Sequence, residues 1–115
     1  MKYLMQIYQG PALEIYGTLD EDAQKAVAAD YWAINSTPGV TPGAGLALPD
    51  TATTVRVENG TTLTTDGPFA ETKEALGGFF FYEADTLDEA IELAARVPAA
   101  RFGGAIEIRP LKEWS

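Results

Sequence analysis

The chain lacks two residue types that carry much of enzyme chemistry, because its 115 residues include no cysteine and no histidine. Without cysteine it has neither disulfides nor a thiolate nucleophile. Without histidine it has no Ser–His or Cys–His nucleophile pair, no imidazole acid or base and no ordinary zinc site. Any catalysis is therefore expected to be cofactor-free proton transfer or hydrolysis by a carboxylate, with arginine stabilising negative charge.

Basic residues are scarce as well. Only 8 stand against 17 acidic residues, which gives a net charge of −9. Nucleic acid and anionic membranes would be repelled by this charge, so neither is expected as a partner. No apolar run approaches the roughly 18 residues that a membrane-spanning helix needs, and the first residues do not follow a signal-peptide pattern. The expected location is the cytoplasm.

A local repeat organises the chain, whose length and 46% hydrophobic content suit a single domain over residues 1–115. Thr-Leu-Asp-Glu occurs at residues 18–21 and again at 86–89. Each copy is typical of a capping box, in which the threonine caps a helix and the glutamate reaches back to it. Apolar residues then recur at helical spacing as far as Ile34 and Val97, and a proline follows each stripe. The repeat therefore predicts two helices.

Four strand-like segments flank these helices. Residues 3–8 and 79–82 precede them, and residues 45–48 and 105–109 follow. The order strand–helix–strand, twice over in a short chain, predicts an α+β fold of the ferredoxin-like βαββαβ type. Its antiparallel sheet would carry both helices on one face. The Gly- and Pro-rich residues 37–45 are predicted to form the loop before the second strand.

An inserted β-hairpin is predicted in the middle of the chain. Residues 53–58 and 61–65 flank Asn59-Gly60, and this dipeptide is the strongest short signal for a hairpin turn. A two-residue turn places both valines of the first segment on one face with threonines, and Leu63 beside Arg56 on the other. Neither face is cleanly apolar, so the hairpin is expected at an edge or over a partner.

One face of the predicted sheet needs a cover. The large apolar side chains of Tyr3, Met5, Phe79 and Phe81 cannot all point under two helices. Burying one such side chain contributes roughly 1.5–3 kcal/mol, so leaving several exposed favours association. We therefore expect a homodimer in which two sheets pack face to face.

The segment at residues 66–74 departs from the surrounding pattern. Its sequence is Asp-Gly-Pro-Phe-Ala-Glu-Thr-Lys-Glu, followed by Leu-Gly-Gly-Phe at 76–79, and it resembles the signature of the DGPF-domain proteins within the YCII-related family. Further matches, such as residues 52–56 and 106–110, extend over nearly the whole chain. The resemblance implies a dimeric ferredoxin-like α/β barrel and, in bacteria, association with extracytoplasmic-function sigma factors. Smaller relatives carry a His–Asp pair proposed as an active site, which a chain without histidine cannot have.

Charged residues form the candidate site. Asp66 or Glu71 is the candidate general base. Arg101 or Arg109 is the candidate for binding an anionic group, because a guanidinium matches a carboxylate or phosphate in two-point geometry, and Lys73 would add positive charge. No metal site and no cofactor are expected. The same charges could instead form an internal ion-pair network that holds the loop against the sheet.

Aromatic side chains could line a pocket, although core or dimer contacts explain most of them more simply; they are Tyr3, Tyr8, Tyr16, Tyr31, Trp32 and Tyr82. The function predicted first is that of a small dimeric protein that binds a small anionic metabolite in a polar pocket, with acid/base catalysis as an added capability. The alternative is a non-catalytic interaction module associated with sigma-factor transcriptional regulation. An enzyme would turn the charges of loop 66–74 into a concave site, whereas an adaptor would expose an apolar patch such as the hairpin face.

Overall fold

The structure is a computed structural model that describes residues 1–68 and 75–112. Within these ranges the chain forms two layers, an antiparallel sheet and a set of helices. The strands are β1 (Lys2–Tyr8), β2 (Val40–Gly45), β3 (Thr53–Glu58), β4 (Thr61–Asp66), β5 (Leu76–Glu83) and β6 (Ala105–Pro110). The helices are α1 (Ala12–Thr18), α2 (Glu21–Asn35), α3 (Leu87–Ala95) and α4 (Pro98–Arg101), and a 3₁₀ turn covers Pro49–Thr51.

The main sheet has four strands in the order β2-β5-β1-β6, and every neighbouring pair is antiparallel. In each half of the chain an inner strand is followed by helices and then by an outer strand. This is the ferredoxin-like arrangement. The predicted α+β fold with an antiparallel sheet is therefore confirmed. No helix of the described residues is both long and apolar enough to cross a membrane.

The core lies between the sheet and the helices. Along β1 the side chains of Tyr3, Met5 and Ile7 are buried at every second position, as expected when alternate side chains of a strand face the core. Phe80 pairs with Met5 and is also buried. On the helical side, α3 contributes Leu93 to the same apolar cluster, and each such side chain contributes roughly 1.5–3 kcal/mol when it leaves water.

Within residues 1–68 and 75–112, no helix covers the opposite face of the sheet. Phe81 pairs with Leu4, and Phe79 pairs with Gln6, one position out of phase with the buried Met5–Phe80 pair. The alternation of side chains therefore places Phe79, Phe81 and Leu4 on this uncovered face, where they are half-buried. Tyr3 and Met5 lie on the other face, under the helices. The four large apolar residues that were predicted not to fit together under two helices are therefore divided between the two faces of the sheet.

The two copies of the Thr-Leu-Asp-Glu repeat do not form the same cap. At the second copy the Glu89 amide donates to Thr86 Oγ1 at 3.2 Å, and the Asp85 amide donates to Glu89 Oε2 at 3.2 Å. This confirms a capping box before α3. At the first copy the prediction is wrong, because α2 is capped by Asp20, whose Oδ1 accepts from the Ala23 amide at 2.8 Å. Thr18 instead ends α1, a short helix that the sequence did not predict, and α4 was not predicted either.

The second strand of the sheet lies earlier than predicted. Residues 45–48 were predicted as the strand, whereas β2 runs over Val40–Gly45, the part expected to be a loop. Pro42 is tolerated because β2 is an edge strand, and a register shift between Pro42 and Ala44 leaves Gly43 as the extra residue of a bulge. A β-carbon on Gly43 would collide with the carbonyl oxygen of Phe79, so only glycine allows this approach of the two backbones.

The predicted hairpin is confirmed with its register. Strands β3 and β4 pair with each other in a separate two-stranded sheet, and Arg56 lies opposite Leu63. The turn residues Asn59 and Gly60 have φ of 50° and 77°, as a type I′ turn requires. The hairpin extends away from the core, and the Cα radius of gyration of 16.2 Å exceeds the value of about 13 Å for a compact chain of this length.

Candidate functional site

A half-open cavity of about 360 Å³ lies between the first two helices and the β2–β5 side of the sheet. We call it the tyrosine cavity. Its lining consists of Ile7, Gln9, Tyr16, Tyr31, Ile34, Asn35, Pro42, Gly43, Ala44, Gly45, Gly77, Gly78, Phe79 and Phe80. Its walls are thus largely apolar, with a few polar side chains among them, which is the usual composition of a small-molecule site.

Three polar atoms of the cavity walls are buried without a hydrogen-bond partner among the described residues: Gln9 Oε1, the Tyr16 hydroxyl and the Tyr31 hydroxyl. Leaving such a group unpaired costs about 1–3 kcal/mol. Native proteins contain few unpaired buried polar groups, and each one calls for an explanation. All three of these atoms belong to residues that line one cavity.

Tyr16 contacts two other parts of the chain, one through its ring and one through its backbone. Its ring meets the ring of Phe102 edge-on, with the centroids 5.5 Å apart and the planes at 85°, a favoured geometry for an aromatic pair. Its carbonyl oxygen accepts a hydrogen bond from Gln24 Nε2 at 3.3 Å, which links α1 to α2. The backbone and ring of Tyr16 are therefore both fixed, while its hydroxyl is left without a partner in the described chain.

Tyr31 follows directly after a residue that ties α2 to α4. Arg101 Nη2 donates to Asp30 Oδ2 at 2.6 Å, and the guanidinium lies 5.0 Å from the centroid of the Phe102 ring. Both side chains of the ion pair are nearly half exposed, so the pair contributes only about 0–1 kcal/mol to stability. Arg101, the last residue of α4, thus contacts the residue before Tyr31, and Phe102, the next residue of the chain, contacts the ring of Tyr16.

Burial raises the pKa of Tyr16 above its ordinary value, the nearby Tyr31 hydroxyl raises it further, and the positive charge of Arg101 acts in the opposite direction. The two hydroxyls lie close enough for a hydrogen bond between them to contribute to this rise in the pKa, although their relative orientation does not make it a well-formed one. Tyr16 is therefore a neutral phenol at physiological pH. A neutral phenol can donate a proton in a hydrogen bond to an oxygen acceptor of a ligand.

Gln9 occupies its position because residue 77 has no side chain. A β-carbon on Gly77 would lie 2.6 Å from Gln9 Cγ, closer than two carbon atoms approach without a shift. Gly78 faces the backbone of the neighbouring strand in a similar way, with the Ala44 oxygen 3.0 Å from the position of its missing β-carbon. Glycines at the start of β5 thus let Gln9 and the β2 backbone form the floor of the cavity.

The charged residues predicted as a site do not come together in the described part of the chain. Asp66 ends β4, exposed and opposite Thr53 in the hairpin, and Arg109 lies on β6 opposite Leu4. No hydrogen bond or ion pair within residues 1–68 and 75–112 joins Asp66 to Arg101 or Arg109. Arg101 pairs with Asp30, a residue that the sequence interpretation did not consider.

The remaining two predicted site residues, Glu71 and Lys73, lie outside the described residues. The described ranges contain no group of three or more Asp or Glu side chains placed to hold a metal ion. Sequence reasoning missed Gln9 altogether and favoured core or dimer contacts for Tyr16 and Tyr31. One chemical signal was available in the sequence. The hydroxyl of a buried tyrosine usually has a hydrogen-bond partner, so a tyrosine predicted to lie in the core indicates a polar group or a ligand near its hydroxyl.

Comparisons with known proteins agree with this fold. The family model described as the YCII-related domain matches residues 1–115. An uncharacterised protein of Rhizobium meliloti (strain 1021) is 44% identical over 71 residues, which cover 61% of this chain and 57% of the relative, so the match spans little more than half of the relative's length.

A solved structure is also similar. It is 5-chloro-2-hydroxyhydroquinone dehydrochlorinase (TftG) from Burkholderia phenoliruptrix AC1100, in complex with 2,5-dihydroxybenzoquinone. The TM-score is 0.54 with 19% sequence identity, over 99% of this chain and 96% of that one. At this identity the similarity concerns the fold alone.

Proposed function

We propose that this chain, which belongs to the YCII-related family, binds a small planar anion in the tyrosine cavity. The observation that carries the proposal is the set of three buried polar atoms, one each on Gln9, Tyr16 and Tyr31, that lack partners in the described chain and belong to the wall of one cavity. A ligand with oxygen acceptors satisfies both phenols, and the apolar walls beside Ile7 and Phe80 suit a flat ring.

The anionic character of the ligand is supported by Arg101. Its positive charge acts on the Tyr16 hydroxyl, so a negative oxygen bonded to that hydroxyl is stabilised by the part of this charge that the ion pair with Asp30 leaves uncompensated. Hydrogen bonds to charged acceptors are also about twice as strong as those between neutral groups. The dehydrochlorinase of similar fold is complexed with 2,5-dihydroxybenzoquinone, a flat ring with oxygen acceptors around its rim, and this compound is therefore the first probe.

Proton transfer on the bound molecule is the catalytic part of the proposal. Asp66 or Glu71 remains the predicted general base, with Lys73 and Arg109 as further predicted binding residues. No acidic side chain belongs to the described lining of the tyrosine cavity. If the protein converts the bound quinone, the rate in Asp66→Asn and Glu71→Gln tests the base. A rate that is kept in Tyr31→Phe but lost in one of the carboxylate variants would support a carboxylate base. A rate unchanged in both carboxylate variants would refute it.

The binding experiment is isothermal titration of the full chain with 2,5-dihydroxybenzoquinone. Tyr16→Phe and Tyr31→Phe each remove one donor to a charged acceptor, which costs about 1.5–3 kcal/mol and weakens binding about ten- to a hundred-fold. Tyr82→Phe is the matched control, because Tyr82 lies outside the cavity lining. Equal affinity for all four proteins, or the absence of binding to the wild type, would contradict the proposal.

Assembly as a homodimer through the uncovered sheet face is part of the same proposal. Leu4, Phe79 and Phe81 lie on that face, and Gln6 Oε1 is buried without a partner among the described residues. A second copy packed on this face would cover the apolar rings and supply polar partners. Light scattering should give twice the mass of one chain for the wild type, and Phe81→Glu should give the single-chain mass. A wild-type mass of one chain at micromolar concentration would refute the dimer.

A second candidate function, a non-catalytic interaction module that contacts a sigma factor, is favoured by the hairpin. Val55 and Val57 on one of its faces are 59% and 67% exposed, although neither lies in the tyrosine cavity. If the hairpin binds a sigma factor, Val55→Thr/Val57→Thr should abolish co-purification and leave titration with the quinone unchanged. Co-purification that depends on Tyr31 and not on the valines would argue against this role of the hairpin.

A further inference from the structure

A second, smaller cavity of about 120 Å³ adjoins the tyrosine cavity. It lies between α1, the segment that follows β2 and the start of β5. Its walls include Leu13, Leu46, Leu48 and Leu76, and we call it the leucine cavity. Its described lining contains no hydroxyl-bearing side chain, whereas the lining of the tyrosine cavity contains two phenols.

The two cavities share part of their walls. Gln9 and Gly77 belong to the lining of both. Since Gln9 packs on the bare backbone of Gly77, the boundary between the cavities includes one flexible side chain. Gln9 Oε1 is also one of the buried atoms without a partner in the described chain. The shared boundary is therefore polar.

The leucines around the smaller cavity are unusually accessible for their type. Leu13, Leu46 and Leu48 are 44%, 47% and 59% exposed. A single exposed leucine needs no explanation, but apolar side chains grouped around a concave surface mark a binding site. A molecule that occupies the tyrosine cavity and extends past Gln9 would bury these leucines and would bind more tightly as a result.

We propose that the ligand is amphiphilic: its planar anionic head binds the tyrosine cavity, and an apolar substituent extends past Gln9 into the leucine cavity. The inference rests on the proposed function, because it takes the head group from there and adds the substituent. It narrows the substrate class to ring compounds that carry an alkyl side chain. Gln9 is then the residue that contacts the ligand where its polar and apolar parts join.

The test is isothermal titration of the full chain with 2,5-dihydroxybenzoquinone and with a series bearing one linear alkyl chain, from methyl to hexyl, on a ring carbon. Each methylene of the ligand that moves from water into an apolar site raises the affinity of the ligand about fourfold. The affinity should rise by this factor per methylene and stop rising when the chain outgrows the leucine cavity.

A matched pair of variants separates this cavity from non-specific adsorption of alkyl chains. Leu13→Asp introduces a charge into the leucine cavity near the start of α1. Leu87→Asp makes the same change at the start of α3, at a leucine that is 52% exposed and outside both cavities. An acidic residue in the first turn of a helix is favourable, so both proteins should fold, as circular dichroism would verify. The dependence on chain length should disappear in Leu13→Asp and persist in Leu87→Asp.

The possible failures are distinguishable. If the parent quinone binds and the alkyl series adds no affinity, the amphiphilic ligand is refuted while the proposed function stands. If the gain with chain length is the same in Leu13→Asp as in the wild type, the alkyl chains bind elsewhere and the inference is refuted as well. If no member of the series binds, both proposals fail together.

Discussion

Arg101 of α4 forms a 2.6 Å ion pair with Asp30 of α2, one residue before the cavity residue Tyr31. The next residue of the chain, Phe102, contacts the ring of the other cavity tyrosine, Tyr16. Two consecutive residues at the end of α4 therefore contact α2 beside Tyr31 and the ring of Tyr16 on α1.

Replacing Arg101 should affect binding more than stability. Arg101→Ala removes a half-exposed ion pair, which contributes only about 0–1 kcal/mol to folding, but it also removes the positive charge that acts on Tyr16. We expect a clear loss of affinity for 2,5-dihydroxybenzoquinone with a free energy of unfolding close to that of the wild type. Titration and urea denaturation measure the two quantities.

The control for this experiment is Arg96→Ala, which removes an exposed arginine at the end of α3. It alters the net charge by the same amount and should leave the affinity unchanged. Equal losses in Arg96→Ala and Arg101→Ala would show that only the total charge matters, and would contradict a local role for Arg101.

Removing a cavity hydroxyl should not destabilise the protein without ligand. Tyr31→Phe deletes a buried hydroxyl that forms no well-aligned hydrogen bond in the described chain, so the cost of its desolvation, about 1–3 kcal/mol, disappears with it. We expect the free energy of unfolding in urea to stay the same or to rise, while quinone binding weakens. A marked loss of stability would mean that the hydroxyl bonds to the rest of the chain, and that the cavity is a structural feature.

Stability at alkaline pH should report on Tyr16. Burial raises its pKa in the folded state, whereas in the unfolded chain it ionises near the ordinary value of about 10. The unfolded state therefore releases the proton first, and stabilisation that is complete below that pH is lost as the pH rises above it. We expect the free energy of unfolding to fall by about 1.4 kcal/mol per pH unit in that range. Tyr16→Phe should lack this contribution, and equal slopes in both proteins would refute the shift.

The helix caps allow a test of the difference between the two sequence repeats. Thr86→Ala and Asp20→Ala each remove a side-chain cap of a helix, and losing such a cap costs about 1 kcal/mol. Thr18→Ala removes only a hydrogen bond from its hydroxyl to the Ile15 carbonyl oxygen and should cost less. Urea denaturation measures the free energy of unfolding of the three variants. If Thr18→Ala lowers it as much as Thr86→Ala does, Thr18 caps α2 as the sequence predicted.

The sequence predicted those elements whose signals are local. The Asn59-Gly60 turn fixes the hairpin register by backbone conformation alone, and the strand alternation of β1 follows from its own side chains. Helix α1 has only seven residues, too few to be stable without tertiary contacts. Its propensity therefore carried little information, and the contact between Tyr16 and Phe102 that holds it joins residues far apart in the chain.

The tyrosine cavity could not be predicted for a related reason. Gln9, Tyr16 and Tyr31 belong to a loop and two helices, and nothing in their spacing places them around one space. Asp66 and Arg109 were predicted as site residues because a charged side chain can be recognised in a sequence without knowledge of its neighbours. An unpaired hydroxyl is visible only when the surrounding packing is known. The fold class thus follows from pattern, and the site follows from packing.

The bulge of β2 yields the sharpest packing test, because two nearby glycines differ in surroundings. A β-carbon on Gly43 would collide with the Phe79 carbonyl oxygen, whereas one on Gly45 has nothing within 4 Å. Gly43→Ala must therefore push β2 away from β5, an overpacking that costs about 1–3 kcal/mol, and should weaken quinone binding because both residues of the clash line the tyrosine cavity. Gly45→Ala, in the same strand and the same lining, should change stability by at most about 0.5 kcal/mol. If both variants unfold at the same urea concentration as the wild type, the close approach of Gly43 to Phe79 does not exist in solution, and the wall of the cavity must be shaped differently.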